Sequence, residues 1–120
     1  MIEPVYFVEL NSPDLPASAA FFRAVFGWDP QPFAAPDYLV ASHLDAGGVD
    51  AAILPSRDAQ PRSVPVIRVS DLDETLARVV SNGGQVVVPA FDLGQMGRAC
   101  YITDPAGLLV GLHFYTPAGS

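Results

Sequence analysis

Glu9, Arg68 and His113 are the side chains in this sequence whose types could carry chemistry together. A carboxylate and an imidazole can pass a proton between them, and a guanidinium can steady an anion. Each lies in a run of strand-forming residues, where successive side chains alternate between two faces. That alternation groups Glu9 with Phe7, Arg68 with Val64 and Val66, and His113 with Leu109 and Gly111. A plainer reading makes Glu9 and Arg68 a partly exposed ion pair and leaves His113 at a strand end in solvent. His43 stands alone beside a hairpin, and Arg98, after Met96-Gly97, reads as an ion-pair residue next to a turn. Phe7, Trp28, Phe33, Tyr38 and Tyr101 can supply an aromatic lining. Neither a Cys-x-x-Cys nor a His-Glu-x-x-His motif occurs, and the paired glycines fall in turns, so no cofactor is expected.

The elements that must position these groups follow from local signals. Val5 to Leu10 is strand-like, and Asn11-Ser12-Pro13 interrupts it. Asp14 then caps a helix whose first turn tolerates Pro16, because the missing N–H would be unpaired there. Leu15, Ala19, Phe22 and Phe26 recur at helical spacing, flanked by Val25, and predict a stripe facing a sheet. Gly27 ends the helix. Residues 28–36 read as loop or irregular edge. Tyr38–Leu44 and Val49–Leu54 read as strands joined by the turn Asp45-Ala46-Gly47-Gly48. Residues 55–61 are polar and punctuated, a connector. Beyond it come a strand at Val64–Val69 and a helix opened by Asp71, with Glu74 placed for a reciprocal cap. Leu72, Leu76, Val79 and Val80 form that helix's apolar face, and Gly83-Gly84 ends it. Strands follow at Gln85–Val88, Arg98–Thr103 and Leu108–Phe114, the last two joined by Asp104-Pro105-Ala106-Gly107.

The order repeats itself. Asp14 and Asp71 lie 57 residues apart, as do Gly27 and Gly84. The spacing predicts one α+β domain over residues 1–120, built of two β-α-β-β-β modules near 4–55 and 63–115 with a cleft between them. A chain of 120 residues with a hydrophobic share of 50% can bury such a core. Thirteen acidic residues against six arginines give a net charge of -7. That balance disfavours nucleic acid and anionic membrane surfaces as partners. The single cysteine, Cys100, reads as a buried spacer, and it cannot form an internal disulfide. With no charged leader and no apolar run long enough for a span, cytoplasm is the expected compartment.

In this order the motifs resemble the vicinal oxygen chelate superfamily, which includes glyoxalase I, extradiol dioxygenases and bleomycin-resistance proteins. The resemblance rests on Phe7-Val8-Glu9-Leu10, Asp14-Leu15, Phe21-Phe22 and Val25-Phe26-Gly27-Trp28. In the second module it rests on Val66-Ile67-Arg68-Val69, Asp71-Leu72-Asp73, Gly83-Gly84, Gly97-Arg98 and Asp104-Pro105-Ala106-Gly107. It implies metal ligands on the first and last strands of each module, at the positions of Phe7, Ala52, Val64 and Gly111. None of these offers a nitrogen or oxygen donor, so no metal is expected there. The resemblance also implies that Glu9, Arg68 and His113 point into the cleft.

Three functions remain open on these residues. The first is metal-independent binding of a small apolar or cationic molecule in the cleft, for sequestration, resistance or sensing. Its expected contacts are Phe7, Glu9, Tyr38, Val64, Val66, Arg68, Tyr101, Gly111 and His113. The second is a glyoxalase-like lyase or isomerase of unknown substrate, using Glu9, Arg68 or His113 without metal. The third is a structural or regulatory interaction module. A homodimer is expected, since a small sheet with open edges gains cover by pairing with its own copy.

Overall fold

A computed structural model of the chain describes residues 2–42 and 47–115. His43, Leu44 and the first half of the turn after them lie outside the described residues. The chain divides into two compact units, one of Tyr6–Val64 and the other of Pro65 onward with the chain start up to Val5.

In the first half the elements are β1 (Val5–Ser12), α1 (Leu15–Phe26), β2 (Gln31–Phe33), β3 (Ala35–Ala41) and β4 (Asp50–Pro55). The strands lie in the order β2-β3-β4-β1, with β1 parallel to β4 and the other pairs antiparallel. The second half holds β5 (Arg62–Arg68), α2 (Leu72–Ser81), β6 (Gln85–Asp92), a short 3-10 turn (Gly94–Met96), β7 (Arg98–Thr103) and β8 (Leu109–Phe114). Its order is β6-β7-β8-β5, with β5 parallel to β8. The same β-α-β-β-β pattern therefore occurs twice, and the fold is α+β.

The helix starts form as their residues dictate. Asp14 accepts from the Ala17 amide at 3.1 Å, and Asp71 from the Glu74 amide at 3.0 Å. The Glu74 carboxylate turns instead to Arg78 one helical turn on, so the reciprocal half of the expected cap gives way to an ion pair. Gly27 takes the left-handed conformation at the end of α1, with Trp28 N–H reaching back to Phe22 O. At the end of α2 it is Gly83, not Gly84, that is left-handed (φ +89°). Gly84 serves packing, because a Cβ there would come within 2.8 Å of Val79.

Each helix covers one face of its strands. Between α2 and its strands, Leu72 of the helix clusters with Val69, Cys100, Ile102 and Leu112, and Ile67, Leu76, Val79, Val110 and Phe114 pack around them. Beneath α1 lie Ala41, Ala51 and the fully buried Ile53. The α1 stripe is shorter than its spacing implies: Ala19 is buried and Leu15 and Phe22 are half-buried. Phe26 is 60% exposed and makes tilted contacts with the Phe22 and Trp28 rings.

Strand ends moved where side chains gave them a partner. β1 runs on to Ser12, whose hydroxyl bonds Ser18 at 2.6 Å and the Asp14 amide at 3.0 Å. β2 forms within the expected loop as a three-residue edge, with a register shift between Pro32 and Phe33. β6 continues past Pro89 to Asp92 by means of two register shifts, which an edge strand tolerates. The connector is stapled by Asp58, which accepts from Ser56, the Gln60 amide and Arg62. The Arg62 hydrogen bonds hold its carboxyl well below the usual carboxylate range.

Gly97 is the tightest point of the second half. Its φ of 89° and ψ of -141° suit glycine alone, and a Cβ would fall against the Phe114 carbonyl oxygen. Replacing Gly97 with Ala should therefore cost about 2–4 kcal/mol, read as a lower urea midpoint at unchanged slope. Gly94 also has a positive φ, but it has open space around it. The Gly94→Ala change should cost about 1 kcal/mol.

Candidate functional site

Register decides which side chains share the face turned away from α1. Phe7 pairs with Asp50, Glu9 with Ala52 and Asn11 with Leu54 along β1 and β4. Val40 of β3 pairs with Ala52, and Tyr38 two residues earlier shares its side. Glu9 is buried, with 8% of its surface exposed, and Ala52 is fully buried. The Tyr38 hydroxyl donates to Glu9 Oε2 at 2.7 Å. A hydrogen bond to a charged carboxylate contributes about 1.5–3 kcal/mol, and here it also fixes the carboxyl group's orientation. Phe7, half-buried, lies two residues before Glu9 on the same face of β1. The result is an oriented carboxyl group on a small, mostly apolar floor. It can hold a cation or exchange a proton with a bound molecule.

The corresponding face of the second half is built from different groups. Val66 pairs with Gly111 and Arg68 with His113 along β5 and β8, and Tyr101 of β7 pairs with Gly111 from the other side. Val64 and Val66 are buried. A Cβ on Gly111 would lie 3.2 Å from both Tyr101 Cε1 and Val66 Cγ2, so these side chains already fill that space. Tyr101 stacks on Phe91 with ring centres 6.3 Å apart.

His113 and Arg68 lie opposite each other, on the face shared by Val66 and Gly111. His113 is buried rather than solvated, and its Nε2 lies 2.5 Å from the Met96 carbonyl oxygen. Since a carbonyl only accepts, Nε2 carries the hydrogen in this contact. The loop that Gly97 permits thus places this carbonyl at the ring. Arg68 is exposed, and its backbone N–H is tied to Pro4 O at 2.9 Å. Its place at the last residue of β5 explains this, because a long cationic side chain reaches water from a strand end at little cost.

The remaining candidates resolve as structural groups. Arg98 pairs with Asp73 at 3.4 Å. Trp28 stacks on Phe22 at 4.7 Å, and Phe33 is exposed on β2. Burial pushes the Cys100 thiol up to about 11, against a smaller opposing effect of Arg98, so it is not a nucleophile at neutral pH. An open groove of about 320 Å³ lies beside α1, lined by residues such as Leu10, Ser12, Ser18 and Phe22. None of the chemistry-bearing candidates lines it.

Phe7, Ala52, Val64 and Gly111 stand where the family's metal ligands are expected, and none of the four carries a donor atom. At Gly111 the space is taken as well. The residues present do not fit a divalent ion at those positions. Among the described residues, no group of three His, Cys, Asp or Glu side chains is placed to hold one elsewhere.

The sequence pattern of the Glyoxalase/Bleomycin resistance protein/Dioxygenase superfamily matches residues 5–112. The chain belongs to that superfamily. Among individual proteins it is 39% identical over 115 residues to "Putative glyoxylase CFP32" of Mycobacterium tuberculosis, covering 88% of this chain and 43% of that one. It is 31% identical over 123 residues to the anthracycline biosynthesis protein DnrV of Streptomyces peucetius, covering 87% of this chain and 44% of DnrV. The chain thus spans less than half the length of these relatives. The methylmalonyl-CoA epimerase from Mycobacterium tuberculosis shares its fold, with a TM-score of 0.68 and 20% identity over 93% of this chain and 87% of that one.

Sequence reading placed Tyr38 as an aromatic wall and missed its hydroxyl as the partner of Glu9. Strand alternation could have put both on one face, but only the β1-β4-β3 register brings them together. The Met96 carbonyl carried no signal at all.

Purified without an affinity tag, the protein should contain far less than one divalent ion per chain by elemental analysis. About one equivalent of Zn, Mn, Ni or Fe would contradict the donor argument. Gly111→Glu should lower stability by about 1–3 kcal/mol through overpacking against Tyr101 and Val66, with no gain in bound metal.

Proposed function

We propose that the protein binds a small apolar or cationic organic molecule against the Glu9–Tyr38 face, without a metal at the family's ligand positions. The observation that carries this reading is the buried Glu9 carboxyl group, oriented by Tyr38 and set beside the fully buried Ala52. A cation would meet the carboxylate, and apolar atoms would meet Phe7, Val40 and Leu54. Membership of a superfamily that includes resistance proteins, and a relative named for anthracycline biosynthesis, support an organic ligand. Sequestration, resistance and sensing all require this one step of capture.

A second reading has the same carboxyl group as a metal-free general base in an isomerase or lyase. A relative named as a glyoxylase and the buried, oriented Glu9 favour it.

Native mass spectrometry of protein purified from cell extract, or offered a metabolite mixture, should detect one retained small molecule per chain. Glu9→Gln should weaken its binding at least tenfold and Tyr38→Phe about fivefold, matching roughly 1.4 and 1 kcal/mol. Far-ultraviolet circular dichroism should show both variants folded. No retained molecule, or equal affinity in Glu9→Gln, would refute the binding reading. Turnover of the molecule by the native chain, lost in Glu9→Gln, would establish the second reading instead.

A further inference from the structure

The chain's two asparagines are Asn11, followed by serine, and Asn82, followed by glycine. A glycine nitrogen has no side chain beside it, so it reaches the amide carbon of a preceding asparagine with the least hindrance. Asn82 and Gly83 end α2, and both are exposed. The helix cap holds the pair out of reaction. Asn82 Nδ2 donates to Arg78 O at 2.8 Å, and its backbone N–H reaches the same oxygen at 3.0 Å. Gly83 N–H donates to Val80 O at 3.2 Å. With the Asn82 ψ at 17°, the Gly83 nitrogen is turned away from the Asn82 side chain. All of these contacts lie at the last turn of a helix, where a chain opens most readily.

We propose that Asn82-Gly83 is a self-modifying site, in which opening of the last turn of α2 releases the pair to deamidate. In the open turn a base takes the Gly83 amide proton, and that nitrogen bonds to Asn82 Cγ. The Cγ–Nδ2 bond breaks, and ammonia leaves with a proton. Water then opens the five-membered imide at either carbonyl, giving aspartate or its β-linked isomer. Neither product rebuilds the cap. A carboxylate has no N–H for Arg78 O, and it adds negative charge where the helix carbonyls already concentrate it. The β-linked isomer also adds a backbone methylene next to Gly84, where even a Cβ would lie 2.7 Å from Thr103 O and 2.8 Å from Val79 Cγ1. The turn therefore closes less well after the reaction than before it. That turn holds Val79 against the buried cluster of Val69, Leu72, Cys100, Ile102 and Leu112, so the modification loosens the cover of this core. Asn82 and Glu9 belong to different compact units, and the proposal does not depend on the ligand reading above.

Peptide mapping by mass spectrometry, on protein held at mildly alkaline pH, tests the proposal by following conversion of the Asn82 amide to acid. Conversion should be at least tenfold faster in about 6 M guanidinium chloride than in the native chain. In denaturant Asn82 should also convert faster than Asn11. Ala77→Gly, at an exposed position within α2, makes opening of the helix end about fivefold more frequent and should speed native conversion by that factor. The same variant should match the native sequence in denaturant. Gly97→Ala lowers stability away from α2 and should leave native conversion unchanged, which separates opening of the turn from unfolding of the whole chain. Asn82→Asp, standing for one product, should unfold at a lower urea concentration than the native protein. Should Ala77→Gly fail to fold by circular dichroism, Ser81→Gly tests the same turn, because it also removes the Ser81 Oγ bond to Arg78 O. Equal rates in native and denatured protein overturn the proposal, as does an absence of conversion at Asn82 in denaturant. So does a native rate unchanged in a folded helix variant, or one raised as much by Gly97→Ala as by Ala77→Gly. An Asn82→Asp chain as stable as the native one overturns the loss of the cap.

Discussion

Parallel pairing between the first and last strand of each half governs where every chemically interesting side chain ends up. β1 and β4 meet with Glu9 opposite Ala52, and β5 and β8 meet with Val66 opposite Gly111. These are equivalent positions in the repeat. A slip of one residue would exchange the two faces of a strand, sending Glu9 beneath α1 and Leu10 to the site face. The apolar helix stripe forbids that slip, because a carboxyl group would then be buried against Leu15, Ala19 and Phe22. Helix packing and site geometry are therefore one constraint seen from two sides.

On that common frame the two halves have diverged. In the first, a small floor at Ala52 leaves room for the Glu9 carboxyl group and its Tyr38 partner. In the second, the equivalent floor is Gly111, and the freed volume is filled by the Tyr101 ring and Val66. At the positions where the resemblance implies metal ligands, a metal is disfavoured for two physical reasons, side chains without donors and occupation of the space. The groups that can carry chemistry are the oriented Glu9 carboxyl group and His113, whose Nε2 meets the Met96 carbonyl.

The repeat also separates what a helix needs to form from what it needs to remain dissolved. α1 and α2 share an Asp cap and a glycine stop, and both form. Only α2 carries the charged outer face that suits exposure to water. The difference resides in side chains that do not affect whether the helix exists.

Much of the architecture was legible from the residues alone. Asp14 and Asp71 announce helix starts, Gly27 and the Gly83-Gly84 pair announce their ends, and Asp104-Pro105-Ala106-Gly107 announces a hairpin. These signals are local, set by capping and backbone stereochemistry, and survive without knowledge of the rest of the chain. The absence of metal donors was equally legible, because it depends only on which atoms are present. Other features belonged to the tertiary structure. β2 and the far half of β6 exist because a neighbouring strand offers hydrogen bonds to segments broken by Pro32 and Pro89. The Tyr38–Glu9 contact spans 29 residues of sequence and follows from the register of three strands. Residue type left His113 and Arg68 open between the inward face and solvent; His113 is buried beside the loop at Gly97, and Arg68 is exposed at a strand end. Residue type and spacing determined which elements form and which chemistry is possible. Which side chains meet was decided only when distant strands paired, since hydrogen-bond register between them is set by the whole of each buried face.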